Sequence, residues 1–200
     1  MQVFGSLGVS VLRNDGVALA ARGDVLTVLY KEPARLHRSR WVYDMADRLV
    51  ERTQQGIAML MIVLPTCDPP DAPTRAENSS RLRKLGPSLR RQVTVPVGND
   101  LSRSIVRSVV RATAVLQGGQ GGPSRLVLSD TLEEGIARLL ESATHMSPSF
   151  DRIADDVSVL CTHLDVDDQS LRSAPLSASR RISGIQQIAP IAGDRRVAGW

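Results

Sequence analysis

The sequence predicts an α/β protein with a mixed sheet of four to six strands and about four helices. Two observations lead to this prediction. Short segments rich in β-forming residues alternate along the chain with segments whose apolar residues recur at a helical period. In addition, the segment IAMLMIVL at positions 57–64 is apolar at every position, which is typical of a strand with helices on both of its faces. Strands and helices that alternate in this way imply right-handed crossovers and a mostly parallel or mixed sheet.

The first elements form a β-hairpin. Residues 17–22 (VALAAR) and 25–30 (VLTVLY) are short, rich in β-formers, and separated by a Gly-Asp pair that is typical of a tight turn. Upstream, apolar residues alternate with polar or small ones over 8–13, before an Asn-Asp-Gly turn signal. We therefore expect the N-terminal extension, residues 1–15, to contribute an extra strand.

After the hairpin, predicted helices and strands alternate along the chain. In chain order we predict a helix within 33–56, the strand at 57–64, a helix at 73–90, a strand at 92–97, a helix at 100–117, a strand at 125–129 and a helix that begins at Asp130. The predicted helices carry apolar stripes at a spacing of three or four residues. Pro96 has no N–H group to donate to a neighbouring strand, so the strand at 92–97 is marginal or ends there.

The composition changes after about residue 143, where Ser, Pro, Ala, Asp and Arg begin to dominate. The folded domain is therefore predicted to span 16–143, and residues 144–200 to form a low-complexity tail. The tail offers too little apolar burial to offset an ordering entropy of ~1–2 kcal/mol per residue, so most of it is expected to be disordered. One exception is the segment DRIADDVSVLCTHLD, whose apolar residues are spaced 4, 3 and 4 positions apart and predict a short helix at 151–164.

Composition also limits the class of protein. Hydrophobic residues make up 42% of the chain, enough for a core, but no apolar run reaches the roughly 18 residues of a membrane span. No signal-peptide pattern opens the chain. Cys67 and Cys161 are too few for a disulfide framework or a zinc cluster, and they suit a reducing compartment. The 25 basic residues are scattered and aromatic residues make up only 3%, unlike a nucleic-acid-binding face. We expect a cytoplasmic protein that binds neither membranes nor nucleic acids.

A polar loop follows the carboxyl end of the predicted central strand, the place where open α/β sheets most often bind ligands. It holds Thr66, Cys67, Asp68, Asp71 and Thr74. The interpretation we favour is structural, with Asp71 or Thr74 capping the next helix by accepting a hydrogen bond from a free N–H group. A second interpretation is a surface that binds a protein partner. A third is chemistry, either by a Cys67 thiolate near a helix N-terminus or by a metal bound to Asp68 and Asp71.

The order of these elements resembles that of the STAS domain, together with GDVLTVLY at 23–30, the long amphipathic helix after it and the buried strand IAMLMIVLP. That family includes the bacterial anti-sigma factor antagonists. The resemblance covers about residues 16–143 and rests on the pattern of elements. It implies a STAS-like fold and a non-catalytic regulatory or scaffold role in bacterial signalling. It also implies a protein partner, such as an anti-sigma factor or a kinase-like regulator.

The antagonists of this family share an Asp-Ser-Ser-Gly-Leu-like motif at the start of the second helix, where a serine is phosphorylated. The nearest match here is Asn78-Ser79-Ser80-Arg81-Leu82, which lies several residues inside the predicted helix. A phosphate gains from free N–H groups and from the macrodipole only at the start of a helix. The resemblance therefore makes Ser79 and Ser80 candidate phosphoacceptors in a degenerate motif, whereas their position favours two polar residues on a solvated face.

Three arginines, Arg103, Arg107 and Arg111, step by four positions and form one stripe on the third predicted helix. Such a stripe can bind an acidic partner or a phosphate, although a solvated helix face is its more frequent cause. The 3 histidines are isolated from cysteines and from carboxylate clusters, so the sequence indicates neither a catalytic triad nor a zinc site. No catalytic residue, metal ligand or cofactor is therefore predicted.

Three functional hypotheses follow. The leading one is a non-catalytic regulatory or scaffold module that acts by protein–protein interaction through its first two helices and the loop at 65–74. The alternative is a small-ligand or lipid-binding α/β module, because the STAS fold also resembles lipid-carrying proteins. The third is an enzyme that uses Cys67 or the pair Asp68 and Asp71. It is the least favoured, so we do not expect an enzyme.

Overall fold

A computed structural model describes residues 10–98, 100–117, 125–168 and 171. Over these residues the protein is α/β, with a six-stranded mixed sheet and five helices, which confirms the predicted fold class. The elements in chain order are β1 (Ser10–Asn14), β2 (Val17–Arg22), β3 (Val25–Tyr30), α1 (Leu36–Thr53), β4 (Ile57–Val63), α2 (Ala72–Leu85), β5 (Leu89–Pro96), α3 (Asp100–Gln117), β6 (Leu126–Leu128), α4 (Leu132–Leu140) and α5 (Phe150–Leu164).

The six strands lie side by side in their chain order, from β1 at one edge to β6 at the other. Neighbours among β1, β2 and β3 are antiparallel, whereas β3 to β6 are all parallel. Each parallel step advances by one strand in the same direction, so right-handed crossovers place α1, α2 and α3 on one face of the sheet. Among the described strands the order never reverses, so the sheet has no switch-point crevice like the one that binds ligands in doubly wound folds.

Strand β4 lies inside the sheet, and its side chains contribute to the apolar clusters on both faces of the sheet. Ile57 and Met59 belong to the half that α1 and α2 cover, while Leu60 and Ile62 belong to the half beneath α4 and α5. All four side chains are fully buried, and burying a side chain of this size contributes about 1.5–3 kcal/mol. The prediction of a strand with both faces covered is confirmed.

The predicted helix at 151–164 is present as α5, but it does not lie in a tail. Its apolar stripe of Ile153, Val157, Leu160 and Leu164 is buried in the main core, and the helix packs on β2 and β3. The predicted domain boundary near residue 143 is therefore wrong. The burial partner of this helix lies far away in the chain, where local composition does not reveal it.

Polar contacts also join α5 to the start of the chain. Arg22 of β2 and Asp156 of α5, 134 positions apart, form an ion pair at 2.7 Å. The extra strand expected in the N-terminal extension is present as β1, which pairs with β2, so this segment is part of the sheet. Residues 1–9 and the remainder of the predicted tail, 172–200, lie outside the described residues.

At the amino ends of the parallel strands, the buried carboxylate of Asp24 joins three parts of the chain. Its Oδ2 atom accepts hydrogen bonds from Arg90 at 2.7 Å, from Thr144 at 2.6 Å and from Ser147 at 3.0 Å. A Cβ atom at Gly23, where φ is +56°, would lie 2.0 Å from a backbone carbonyl oxygen of the segment after α4. Glycine is required there because the two backbones touch.

Candidate functional site

A cavity of about 120 Å³ lies between the sheet and helices α1, α2 and α3, toward the carboxyl ends of the parallel strands. Its lining residues are Tyr30, Ala34, Tyr43, Met61, Val63, Cys67, Asp68, Pro69, Pro70, Asn78, Leu82, Gln92, Thr94, Ile105, Val106, Val109, Val110 and Leu126. Protein interiors are close-packed and contain few voids larger than a water molecule. A space of this size therefore marks the cavity as the candidate site.

The floor of the cavity carries a glutamine on a mostly apolar sheet face. Gln92 of β5 pairs with Met59 of β4 and with Leu126 of β6, and it is only 7% exposed. Thr94, two residues later, is also buried and lines the cavity. The Oε1 atom of Gln92 is shielded from solvent and has no hydrogen-bond partner among the described residues. A buried acceptor without a donor costs about 1–3 kcal/mol, so this position suits a group that donates a hydrogen bond.

Helix α2 forms part of the roof, and its sequence explains why space remains beneath it. The buried residues of α2 are Thr74, Leu82 and Leu85. Asn78 lies four positions from each of the first two, on the same face, where its short side chain lines the cavity without filling it. Its Oδ1 atom is buried and has no partner in the described part of the chain either. Two residues that line the cavity, one on β5 and one on α2, thus each carry an amide oxygen without a partner among the described residues.

Helix α3 contributes the remaining apolar wall. Ile105, Val106, Val109 and Val110 line the cavity from this helix. Ile105 is 39% exposed, which is unusual for a large apolar side chain next to a core and indicates that it lies at the mouth. Asp68, also exposed, lies on the rim formed by the loop before α2. The site is therefore an apolar chamber whose opening is partly apolar.

The titratable groups inside the lining are neutral at physiological pH. Burial raises the pKa of the Cys67 thiol to about 11, and the thiol donates a hydrogen bond to the carbonyl oxygen of Tyr30 at 3.2 Å. Burial also raises the pKa values of the Tyr30 and Tyr43 hydroxyls above their ordinary value. A reactive cysteine needs a lowered pKa, so this environment does not favour a Cys67 thiolate.

The five loop residues singled out in the sequence have different positions. Asp71 caps α2, because its Oδ1 atom accepts a hydrogen bond from the Thr74 N–H group at 2.9 Å, and the hydrogen bonds from Thr74 lower the pKa of Asp71. Thr66 is exposed and donates a hydrogen bond to a backbone carbonyl oxygen. Of the five, Cys67 and Asp68 line the cavity. Among the residues that the structure describes, no group of three or more side chains is arranged to hold a metal ion.

Ser79 and Ser80 lie inside α2, as the sequence predicted. The backbone N–H groups at this depth are bonded within the helix, so they do not offer free donors to a phosphate. The neighbouring Arg81 is already engaged in ion pairs with Glu77 and with two aspartates of α1. Phosphorylation of either serine therefore stays a prediction of the resemblance, without added support from the surroundings.

The three arginines of α3 do not form one exposed stripe. Arg103 is buried, Arg107 forms an ion pair with Asp130 in the loop before α4, and Arg111 is exposed. A surface that attracts an acidic partner needs several charged side chains facing solvent together. These three residues do not meet that condition as a group.

Sequence reasoning missed Gln92, Thr94 and Asn78 as site residues. In the segment QVTVPV, polar residues alternate with valines, which is typical of a strand with one face in solvent. In the structure both faces of β5 are covered, so the polar residues point into the interior. A usable signal was present, because two predicted helices flank this strand and leave little room for a solvated face.

No family model, no curated protein and no solved structure matches this chain. None of the helices described is long and apolar enough to cross a lipid bilayer. The resemblance to STAS domains therefore rests on the order of the elements alone, and a function has to be argued from the cavity and its surroundings.

Proposed function

We propose that this protein is a non-catalytic α/β module that binds a small, largely apolar molecule in the cavity beneath α2 and α3. The observation that supports this proposal is the cavity itself. Water inside an apolar space of about 120 Å³ finds few hydrogen-bond partners on the walls. A ligand that displaces this water buries its own apolar surface, which contributes about 25 cal/mol per Å².

The chemistry of the lining supports binding without catalysis. A general acid or base works best with a pKa near the operating pH, whereas burial moves the pKa of Cys67 to about 11. Asn78, Gln92 and Thr94, polar residues of the lining, do not titrate in the physiological range. Binding pockets are typically apolar with a few placed polar groups that orient the ligand, and this cavity fits that description.

Uptake of toluene tests the proposal. We expect saturable binding to the full chain in isothermal titration calorimetry and a rise in Tm, because toluene binds only the folded state. At a ligand concentration of about 100 times Kd, the gain in stability is about 2.7 kcal/mol. Native mass spectrometry of freshly purified protein is expected to show a co-purifying small molecule. Absence of both toluene binding and any extra mass would contradict the proposal.

A second candidate function is regulatory contact with another protein, as the STAS resemblance implies. The observation that favours it is the loop before α2, in which Pro65, Thr66, Asp68, Pro69 and Asp71 are exposed. The prolines restrict the loop backbone before a partner arrives, which lowers the entropic cost of association. We propose an anti-sigma factor or a kinase-like regulator as the partner.

A photo-crosslinking residue tests this second candidate. Placed at Asp68, it is expected to form an adduct with one protein in a lysate of the source cells. The same residue at Glu51, exposed near the end of α1, is the control and is expected to form none. Equal adducts at both positions, or none at Asp68, would rule out a contact through the loop.

A further inference from the structure

We infer that the ligand of this cavity is an uncharged molecule about the size of one aromatic ring that donates a hydrogen bond, such as a small phenol. The inference rests on the proposed binding function and names the ligand class. Three features of the cavity carry it: its volume, the scarcity of charge in its lining and its two unpartnered acceptors.

The volume sets the size of the ligand. At about 120 Å³, the cavity is somewhat smaller than a roughly 150 Å³ engineered protein cavity that takes up benzene. One ring, or a branched chain of similar bulk, fits this space. A complete lipid acyl chain or a nucleotide would have to extend through the mouth, past Ile105 and Asp68, into solvent.

The lining disfavours a charged ligand. Of the described residues that line the cavity, Asp68 alone is charged at neutral pH, and it lies at the exposed rim. A carboxylate or an ammonium group deep in the chamber would lack a counter-ion, and burial of an unpaired charge is strongly unfavourable. The carboxylate of Asp68 would in addition repel an approaching anion. The ligand that fits is neutral.

The unpartnered acceptors determine the polarity of the ligand. Gln92 and Asn78 line the cavity from the floor and the roof, Gln92 is more than nine-tenths buried, and the Oε1 and Oδ1 atoms of the two amides have no partner among the described residues. Both oxygens are shielded from water, so a donor in the cavity reaches one of them after a turn about the soft terminal torsion of its side chain. Ordered water needs roughly two to four polar partners, whereas most of this wall is aliphatic or aromatic. A molecule with an apolar body and one O–H or N–H group suits both the apolar wall and the unpartnered acceptors. Its body would contact Met61, Leu82 and Val109, and its donor would reach an amide oxygen once that side chain has turned toward the cavity.

Three one-ring probes separate recognition of a donor from simple uptake. m-Cresol and anisole are isomers, of which only cresol donates a hydrogen bond, and toluene carries no polar group. Dissociation constants are measured by calorimetry on the full chain. We expect cresol to bind at least about ten-fold more tightly than anisole or toluene, the factor that one hydrogen bond to a buried acceptor supplies.

Gln92→Leu removes one acceptor with little change in volume. In this variant the advantage of cresol over toluene is expected to shrink to less than about three-fold, while toluene still binds. Gln55→Leu makes the same substitution at an exposed position after α1 and is the matched control. It is expected to keep the full preference for cresol.

The outcomes distinguish this inference from the proposed function. If toluene binds and cresol gains nothing, the ligand class is wrong while uptake of apolar molecules stands. If anisole binds more tightly than cresol, the amides present N–H groups to the ligand and the inference is overturned. If none of the three probes binds, the cavity contains only water and both proposals fail.

Discussion

Asp24 is a fully buried carboxylate whose neighbours keep it ionised. Burial by itself raises the pKa of this group, but hydrogen bonds from Thr144, Ser147 and Arg90 outweigh burial, and the pKa lies below its ordinary value of 3.8. Arg90 completes an ion pair at 2.7 Å. The carboxylate thereby links the β2–β3 hairpin by hydrogen bonds to β5 and to the segment after α4.

Removal of this carboxylate is expected to be costly. Asp24→Ala should lower the free energy of unfolding by about 3–5 kcal/mol, because Arg90 is left largely buried without its partner. Urea denaturation followed by circular dichroism measures the change. Glu51→Ala, at an exposed position, is the control and should stay within about 0.5 kcal/mol of the parent chain. A similar small loss in both variants would show that the ion pair adds little stability.

The same residue makes stability depend on pH. Because the pKa of Asp24 is lower in the folded chain, its stabilisation is complete above the unfolded-state pKa of 3.8 and is lost as the pH falls through the folded-state value. Asp15 and Glu77 also have lowered pKa values through hydrogen bonds with arginines, but Asp15 is exposed and Glu77 is half-buried at the surface, so solvent screens their effect.

We therefore expect the urea midpoint to fall steeply as the pH is lowered below about 4 toward the folded-state pKa of Asp24. Asp24→Asn should show a shallower dependence over the same range, because it lacks the titrating group. Urea titrations at a series of pH values measure both slopes. An unchanged slope in the variant would assign the acid sensitivity to other carboxylates.

Strong local patterns predicted most elements, and they failed where one residue fits two patterns. Leu89 continues the stripe of Leu82 and Leu85, so the sequence predicted a helical segment at 73–90 that Gly86-Pro87 breaks near its end. In the structure α2 ends at Leu85, followed by Gly86 at φ +41° and a proline, and β5 already begins at Leu89. The pairing of Leu89 with β4 selects the strand period over the helical period. That pairing joins distant parts of the chain, so a local sequence pattern does not reveal it.

The candidate site was only partly predictable for a related reason. Cys67 and Asp68 were found because they follow the end of a buried strand, a local signal. The cavity itself depends on what α2 and α3 place above β5. Asn78, a short residue at a core-facing position of α2, leaves the gap, and Gln92 lies beneath it. The relative placement of α2, α3 and β5 cannot be predicted from hydrophobic periodicity or from composition.

A larger residue in α2 should close the cavity. Asn78→Leu places an apolar side chain in the space and removes an unpartnered oxygen, so the free energy of unfolding is expected to rise by about 1–3 kcal/mol. Toluene binding should be lost. Ser80→Leu, two positions later on the exposed face of the helix, is expected to leave toluene affinity unchanged. Undiminished toluene binding by Asn78→Leu would place the bound probe elsewhere.

At the scale of the whole molecule, α5 is required for folding. A chain that stops at residue 143 lacks Ile153, Val157, Leu160 and Leu164, whose burial contributes about 1.5–3 kcal/mol each. This sum is comparable to the total stability of a typical domain, ~5–15 kcal/mol. The shortened chain is expected to show no cooperative urea transition, whereas a chain that stops at residue 171 should show one. A cooperative transition in the shorter chain would contradict the assignment of α5 to the core.

The chain order of the strands has a consequence for synthesis on the ribosome. Each strand pairs with the strand made just before it, so the sheet can grow as the chain emerges. One side of β2 and β3 nevertheless stays bare until α5 has been translated, as the 134-residue separation of Arg22 and Asp156 makes plain. During that interval the nascent protein exposes an apolar surface to chaperones and to other copies of itself. Slow translation lengthens the interval and so raises the risk of aggregation.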